Sequence, residues 1–406
     1  FLSLITFSIN LYSQSDPTIF EKFTPKFYTI NGYKINVESM GTGDPIVFLA
    51  GGPGDSHDYM QGSFGQYYKT NQVIFIDMPG RGKSEDARDK KEYSIESDTQ
   101  IIEEVRKALK LEKISLVGHS YGTVPAQNYA VKYPEKVNKM MLINGFHSGE
   151  MWQANCDSYN HYAKTHFPEY WQKIDSLRNL GYVSSDPVFS ALYGSLPIKY
   201  VYYHNTSLSQ NTPKEKYRSW NPEVYYAIIG RDADFFVGGC MIDWDVRKEL
   251  KNIPFPILIA AGRYDGVSTP EYAVQYKKFA PRAQFIMFEQ SGHNPYLEEP
   301  DKFFKAFEDL KIFFDTNKKL FHTDEAGYLN IVSGMPESIK QFVLQDNFWN
   351  ELEDLNKNCS TLKSFQTRFF HKFNAFKVLK YMNFAHEQFY QKVDLKMQCQ
   401  LLKQVL

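Results

Sequence analysis

Residues Leu116–Val124 read LVGHSYGTV: an apolar run ends, and Ser120 follows between Gly118 and Gly122. Gly-x-Ser-x-Gly arises by chance often enough that the pentapeptide decides nothing alone; its setting does. The run Ile114–Gly118 is short and continuously apolar, and a helical stretch follows it up to Tyr133-Pro134. A sharp strand-to-helix turn brings the backbone close to itself, so it needs small neighbours and leaves the central side chain projecting. The helix that follows aims its N-terminal amides and the positive end of its dipole at the same place.

Working outward, three more short apolar runs flank this one: Pro45–Ala50, Val73–Asp77 and Lys139–Asn144. Continuous rather than alternating apolar runs suit parallel strands covered on both faces. Between them, Ile95, Ile101, Ile102, Val105 and Leu109 fall at helical spacing within Ser94–Leu111. The rhythm is βαβα, which predicts an α/β fold with a mostly parallel sheet over residues 26–146. It breaks after Asn144: residues 147–250 are rich in Tyr, Trp and His, show no strand period, and carry turn signals at Ser185-Asp186-Pro187 and Asn221-Pro222. It resumes with Pro256–Ala261 and Ala283–Phe288, so residues 251–315 complete the sheet. The expectation is one sheet domain interrupted by a mainly helical cap. Gly238-Gly239 reads as a turn within it.

Both ends of the chain stand apart. Residues 1–14, FLSLITFSINLYSQ, resemble the apolar core and cleavage region of an export signal, which predicts a secreted or periplasmic protein. The alternative is a cytoplasmic chain that begins with an ordinary buried element. In residues 320–406, Leu362, Phe365, Phe369, Phe373, Phe376 and Leu379 recur three or four apart, which predicts a helical C-terminal extension. No chemistry is legible in it.

Composition narrows the function classes. The 406 residues are 43% hydrophobic and 23% charged with a formal net charge of −1, which gives no basis for a nucleic-acid or anionic-membrane partner. Cys156, Cys240, Cys359 and Cys399 form no C-x-x-C pair, and nothing calls for a metal or a cofactor. No stretch reaches transmembrane length, so stable membrane insertion is not expected. The oligomeric state is not legible.

A serine hydroxyl becomes a useful nucleophile only when a base takes its proton. His293, in Gln290–Pro295 (QSGHNP), lies past the last strand-like run, where a loop reaches the same sheet edge as Ser120. Asp265, in AGRYDGV, follows the run Pro256–Ala261 and suits the carboxylate that orients such a base. The order Ser120, Asp265, His293 is that of α/β-hydrolases. An oxyanion formed at Ser120 needs donors: the backbone N–H of Tyr121, and that of Gly52 in the glycine-rich Ala50–Gly54 (AGGPG). Removal of one such donor costs about 3–4 kcal/mol of transition-state stabilisation.

Together, GGPG at Gly51–Gly54, SHDY at Ser56–Tyr59, DMPGRGKS at Asp77–Ser84, GHSYG, GRYD at Gly262–Asp265 and SGH at Ser291–His293 resemble the proline iminopeptidase family of α/β-hydrolases. The likeness spans about residues 26–314. It implies the α/β-hydrolase fold, a serine nucleophile and release of an N-terminal residue such as proline from short peptides. The chain departs from the pattern in three places. Ala50 stands where members carry histidine before GGPG, and Asp77–Ser84 differs from their D-Q-R-G-x-G-x-S. Members similar to the archaeal enzymes hold the substrate's α-amino group with two glutamates. One lies shortly before a D-W-D motif, present here as Asp243-Trp244-Asp245, and counting back places Asp234 there. The other directly follows the triad aspartate, where this chain has Gly266. Asp232 and Glu223 are the candidates to supply the missing charge. The cap aromatics Tyr200, Tyr202, Tyr203, Tyr225, Tyr226, Phe235 and Phe236 are candidate pocket walls or simply the cap's own core.

Three functions follow. The first is a serine aminopeptidase acting through an acyl-enzyme on small peptides; the second, a serine esterase or amidase on small non-peptide acyl substrates, favoured by Gly266. The third, a binding protein on a hydrolase fold, is opposed by the intact Ser–Asp–His set. Epoxide-hydrolase and dehalogenase chemistry is disfavoured, because those relatives carry aspartate where Ser120 stands.

Overall fold

The computed structural model describes residues 18–196, 199–210 and 220–317. The N-terminal segment 1–14 and the extension 320–406 lie outside the described residues, as do Cys359, Cys399 and the side chain of Tyr200.

Eight strands form one sheet: β1 (Lys26–Ile30), β2 (Tyr33–Met40), β3 (Pro45–Leu49), β4 (Gln72–Ile76), β5 (Ile114–His119), β6 (Val137–Ile143), β7 (Ile257–Gly262) and β8 (Gln284–Phe288). Their spatial order is β1-β2-β4-β3-β5-β6-β7-β8. From β4 to β8 all pairings are parallel, whereas β1–β2 and β2–β4 are antiparallel. Every strand anticipated from an apolar run is present to within two residues at either end. The hairpin β1–β2 precedes the first of those apolar runs. Its two-residue turn is Asn31-Gly32, both at positive φ (52° and 83°), the chemistry that a tight hairpin requires.

The helix at Ser94–Leu111 runs Ile95–Ala108, with the Ser94 side chain accepting from the Ser97 amide as N-cap. Its apolar stripe and that of the helix Thr123–Lys132 pack into the main core with Val105, Leu116, Val124 and Leu142.

Between β6 and β7 the chain forms the helices Gly149–His166, Pro168–Asn179, Pro187–Tyr193, Lys199–Tyr202 and Pro222–Ile229. This insertion has a small core of its own, built on Ala163, Trp171, Ile174, Phe189 and Leu196. Its two ends are stitched together: Gly149 N–H donates to Trp244 O at 2.8 Å and Val246 N–H to His147 O at 3.1 Å. The turn signals within it prove to be helix starts. Asp186 and Asn221 are N-caps with Pro187 and Pro222 at the first helical position, where a missing N–H costs nothing. Gly238-Gly239 does turn, with Gly239 at φ +55°.

Candidate active site

The carboxyl ends of β3, β5, β7 and β8 lie on one edge of the sheet, and each is followed within a few residues by one candidate group. β5 runs directly into Ser120, which is nearly buried and held at φ +53°. A non-glycine residue rarely adopts that conformation, and it persists only where the surroundings enforce it. Here they do: a Cβ on Gly118 would lie 2.5 Å from Gly122 O, and one on Gly122 would collide with Leu49 O. Either glycine replaced would force the elbow open.

His293 is buried, and its Nδ1 lies 2.9 and 3.1 Å from the two oxygens of Asp265. The carboxylate is itself fixed, since Asp265 Oδ1 accepts from the amides of Val267 (2.7 Å) and Ser268 (3.0 Å). The imidazole is held from its backbone too, because His293 N–H donates to Tyr202 O in the insertion at 2.8 Å. With Nδ1–H given to Asp265, Nε2 is left as the basic nitrogen.

A second histidine, His119, sits between these groups. Its Nε2 lies 3.0 Å from His293 O and its Nδ1 2.8 Å from the Tyr59 hydroxyl, which accepts from Gly51 N–H at 2.6 Å. Burial, then the neighbouring His293, pushes His119 down to about 3, so it is neutral with one N–H to give. A carbonyl only accepts, which assigns that proton to Nε2 and makes Nδ1 the acceptor for Tyr59. The Gly51 amide is thereby occupied. Gly52, at φ +41°, is the next residue whose amide is available for the oxyanion role.

Ser120 and His293 line a cavity of about 590 Å³ whose other walls come largely from the insertion: Trp152, Tyr159, Tyr193, Tyr225 and Asp234 among them. Tyr202, Tyr203 and Tyr226 line it as well, while Phe235 packs into the insertion's core and Phe236 faces solvent. Burial raises the Asp234 carboxyl to about 6.

Of the three acids considered for substrate binding, only Asp234 reaches this cavity. Asp232 is engaged by Arg178 Nη1 at 2.6 Å and by the Ser184 amide, and Glu223 is exposed and paired with Lys90 at 2.9 Å. Gly266 also has a packing explanation. Its N–H donates to Val201 O at 3.0 Å, and a Cβ there would lie 2.9 Å from Val201 Cγ1 and 3.1 Å from Val201 Cα. The segment Lys199–Tyr202 fills the space a carboxylate would need. The groups missed from sequence were Asp55, Tyr59 and His119, all on the cavity wall. Each sits inside a motif already singled out, but nothing in the motif specifies which way it faces. Cys156 is on the wall too; burial pushes its thiol up to about 12, which makes it a poor nucleophile.

Fold and site together define a class, and residues 44–300 match the model of the α/β-hydrolase fold family; the chain belongs to that family. It is an enzyme, a hydrolase. Within the family it is similar to proline iminopeptidases. One from Saccharolobus solfataricus is 29% identical over 315 residues, covering 71% of this chain and 96% of that protein. One from Heyndrickxia coagulans is 26% identical over 296 residues, covering 71% and 98%. Among solved structures, the proline iminopeptidase of Mycobacterium smegmatis superposes with a TM-score of 0.57 at 18% identity, over 72% of this chain and 99% of its own. VinJ does so with a TM-score of 0.58 at 20% identity, over 71% and 98%. At those identities the superpositions speak for the fold alone. Among the described residues no helix is long and apolar enough to cross a membrane.

Proposed function

We propose that the chain is a serine aminopeptidase of the proline iminopeptidase type, releasing an N-terminal residue from short peptides through an acyl-enzyme. The observation that carries this reading is Asp234: a half-buried carboxylate on the aromatic wall of the cavity that also holds Ser120 and His293. An acid drawn out of water is costly unless a cation accompanies it, and a substrate's free α-amino group is such a cation.

In this mechanism Ser120 Oγ attacks the first carbonyl of the peptide while His293 Nε2 takes its proton. The oxyanion is received by the Gly52 and Tyr121 amides. His293 then gives the proton to the leaving amine, and a water activated the same way hydrolyses the ester. Asp265 fixes the tautomer and stabilises the imidazolium. A second reading, a serine esterase or amidase on small non-peptide acyl substrates, is favoured by Gly266, which leaves this cavity without the following acid.

Both are tested by hydrolysis of proline p-nitroanilide, its N-acetylated form and p-nitrophenyl butyrate, for wild type, Ser120→Ala and Asp234→Asn. The aminopeptidase predicts preference for the free amine, lost in Asp234→Asn, and no turnover in Ser120→Ala. Turnover of the butyrate ester alone would favour the second reading. Unchanged turnover in Ser120→Ala would end both.

A further inference from the structure

The loop after β4 carries the sequence departure that the catalytic groups do not account for: Asp77–Ser84 reads DMPGRGKS, with Arg81 inside it. That arginine is 3% exposed, and its partner Asp98, in the first turn of the helix Ile95–Ala108, is 1% exposed. The pair is bidentate, Nη1–Oδ1 at 2.8 Å and Nη2–Oδ2 at 2.9 Å. Each member also holds a third group. Arg81 Nε donates to Pro53 O, and Asp98 Oδ2 accepts from the Tyr121 hydroxyl at 2.9 Å. The guanidinium carbon lies over the Tyr121 ring, 5.9 Å from its centroid.

Pro53 directly follows Gly52, and Tyr121 directly follows Ser120. We infer that the Arg81–Asp98 pair is a clasp that positions the oxyanion hole, holding the Gly52–Pro53 loop and the Tyr121 turn at a fixed separation through one rigid fork. The inference rests on the serine-hydrolase reading above, but not on the identity of the substrate. A buried ion pair is a weak device for stability, since well-packed apolar residues do as well. What a bidentate guanidinium–carboxylate fork supplies is geometry, and donor placement is what an oxyanion hole needs. Arg81 and Asp98 touch no reacting atom in this scheme; they act through the Pro53 carbonyl, one residue past Gly52, and through the side chain of Tyr121, whose own amide is a donor.

The chain contains its own matched control. On the same helix Arg106 pairs with Glu103 through Nη2–Oε1 at 2.7 Å and Nε–Oε2 at 2.8 Å, and Glu103 accepts from the Tyr129 hydroxyl at 2.7 Å. The chemistry is the same, but the groups this fork holds, the Leu111 carbonyl and Tyr129, adjoin neither Gly52 nor Ser120.

The experiment compares Arg81→Lys, Asp98→Asn and Tyr121→Phe with Arg106→Lys. It measures kcat and KM on an ester or anilide that the wild type turns over, Tm, and the inhibition constant of a trifluoromethyl ketone that forms an oxyanion on Ser120. The clasp predicts that kcat falls roughly 10–100-fold in Arg81→Lys and Asp98→Asn, short of the 10²–10³-fold typical of losing a donor outright. KM should stay within about threefold, and ketone affinity should fall in step with kcat. Arg106→Lys should lower Tm without changing kcat. Tyr121→Phe leaves the ion pair intact and cuts one link, so it should show a smaller loss of the same kind even if the charge variants fold poorly. Unchanged kcat and ketone affinity in the variants that fold would overturn the clasp, as would equal losses in the Arg106 control. If Ser120→Ala retains turnover, it is the serine-hydrolase reading that has failed. If Ser120→Ala is inactive while the clasp variants keep their kcat, only the clasp is lost.

Discussion

Asp234 is a conditional charge. Burial holds its carboxyl near 6, well above the usual carboxylate range, so it is largely neutral in mild acid and anionic at neutral pH. Only the anion attracts an ammonium, and a charge-assisted hydrogen bond is worth roughly 1.5–3 kcal/mol. The rate on a free-amine anilide relative to the ester should therefore fall as pH drops through about 6, because pH effects common to both substrates cancel in the ratio. Asp234→Asn should flatten that dependence and lower the ratio by roughly 10–100-fold at pH 7.5. A ratio independent of pH in the wild type would remove Asp234 from amine recognition. At this scale the sequence is legible where chemistry demands one residue type at one place. Ser120, Asp265 and His293 each follow a strand end, which directs all three to one edge of the sheet. Counting back from Asp243-Trp244-Asp245 singles out Asp234, but the sequence does not dismiss Asp232 and Glu223, because their cations, Arg178 and Lys90, are far away in sequence.

At the scale of elements, the insertion reaches the catalytic loops through the segment Lys199–Tyr202, which binds Gly266 through Val201 and His293 through Tyr202. Restoration of an acid by Gly266→Glu is thus expected to fail. Its side chain meets Val201, and overpacking of this kind costs about 1–3 kcal/mol. The variant should show a lower Tm and a reduced kcat on the ester as well as on the anilide, because His293 is positioned by the same segment. A gain in free-amine preference at unchanged Tm would show that the segment yields easily. This contact was invisible in the sequence, where Val201 and Gly266 lie in separate regions with no shared motif. Strands β3 to β8 were legible because each contains a short apolar run, which suits burial on both faces in all of them except the edge strand β8. The hairpin β1–β2 was missed although Asn31-Gly32 announces it, because β2 buries Asn36 and Glu38 and so breaks the apolar pattern. Asp186-Pro187 and Asn221-Pro222 were ambiguous for a physical reason: a residue that accepts hydrogen bonds followed by proline opens a turn and a helix equally well.

At the scale of the whole molecule, three buried histidines set opposing limits on stability. Burial, then His293, lowers His119 to about 3, and burial, then Arg247, lowers His147 to about 4. Both bind fewer protons folded than unfolded, so stability should rise with pH as the unfolded chain loses these protons, up to about 6.5. His57 acts the other way. Burial alone would lower it, but Asp77, 2.7 Å from Nδ1, and Glu38 carry it up to about 9. Its contribution is complete below the unfolded value of about 6.5 and is lost as pH rises through about 9. At about 1.4 kcal/mol per unit, the loss across that window is roughly 3 kcal/mol. Urea unfolding between pH 5 and pH 9.5 should give a maximum between about 6.5 and 7, with an alkaline decline that His57→Gln abolishes at the cost of lower stability near pH 6. Asp234 adds a separate term. Its raised carboxyl makes the ionised form unfavourable in the folded state, so Asp234→Asn should raise Tm at pH 7.5 by a few degrees while removing free-amine preference. Stability gained where selectivity is lost would mark Asp234 as a residue kept for binding. If Asp234→Asn instead lowers Tm, its carboxylate is part of the fold, and the cation that it attracts belongs to the protein.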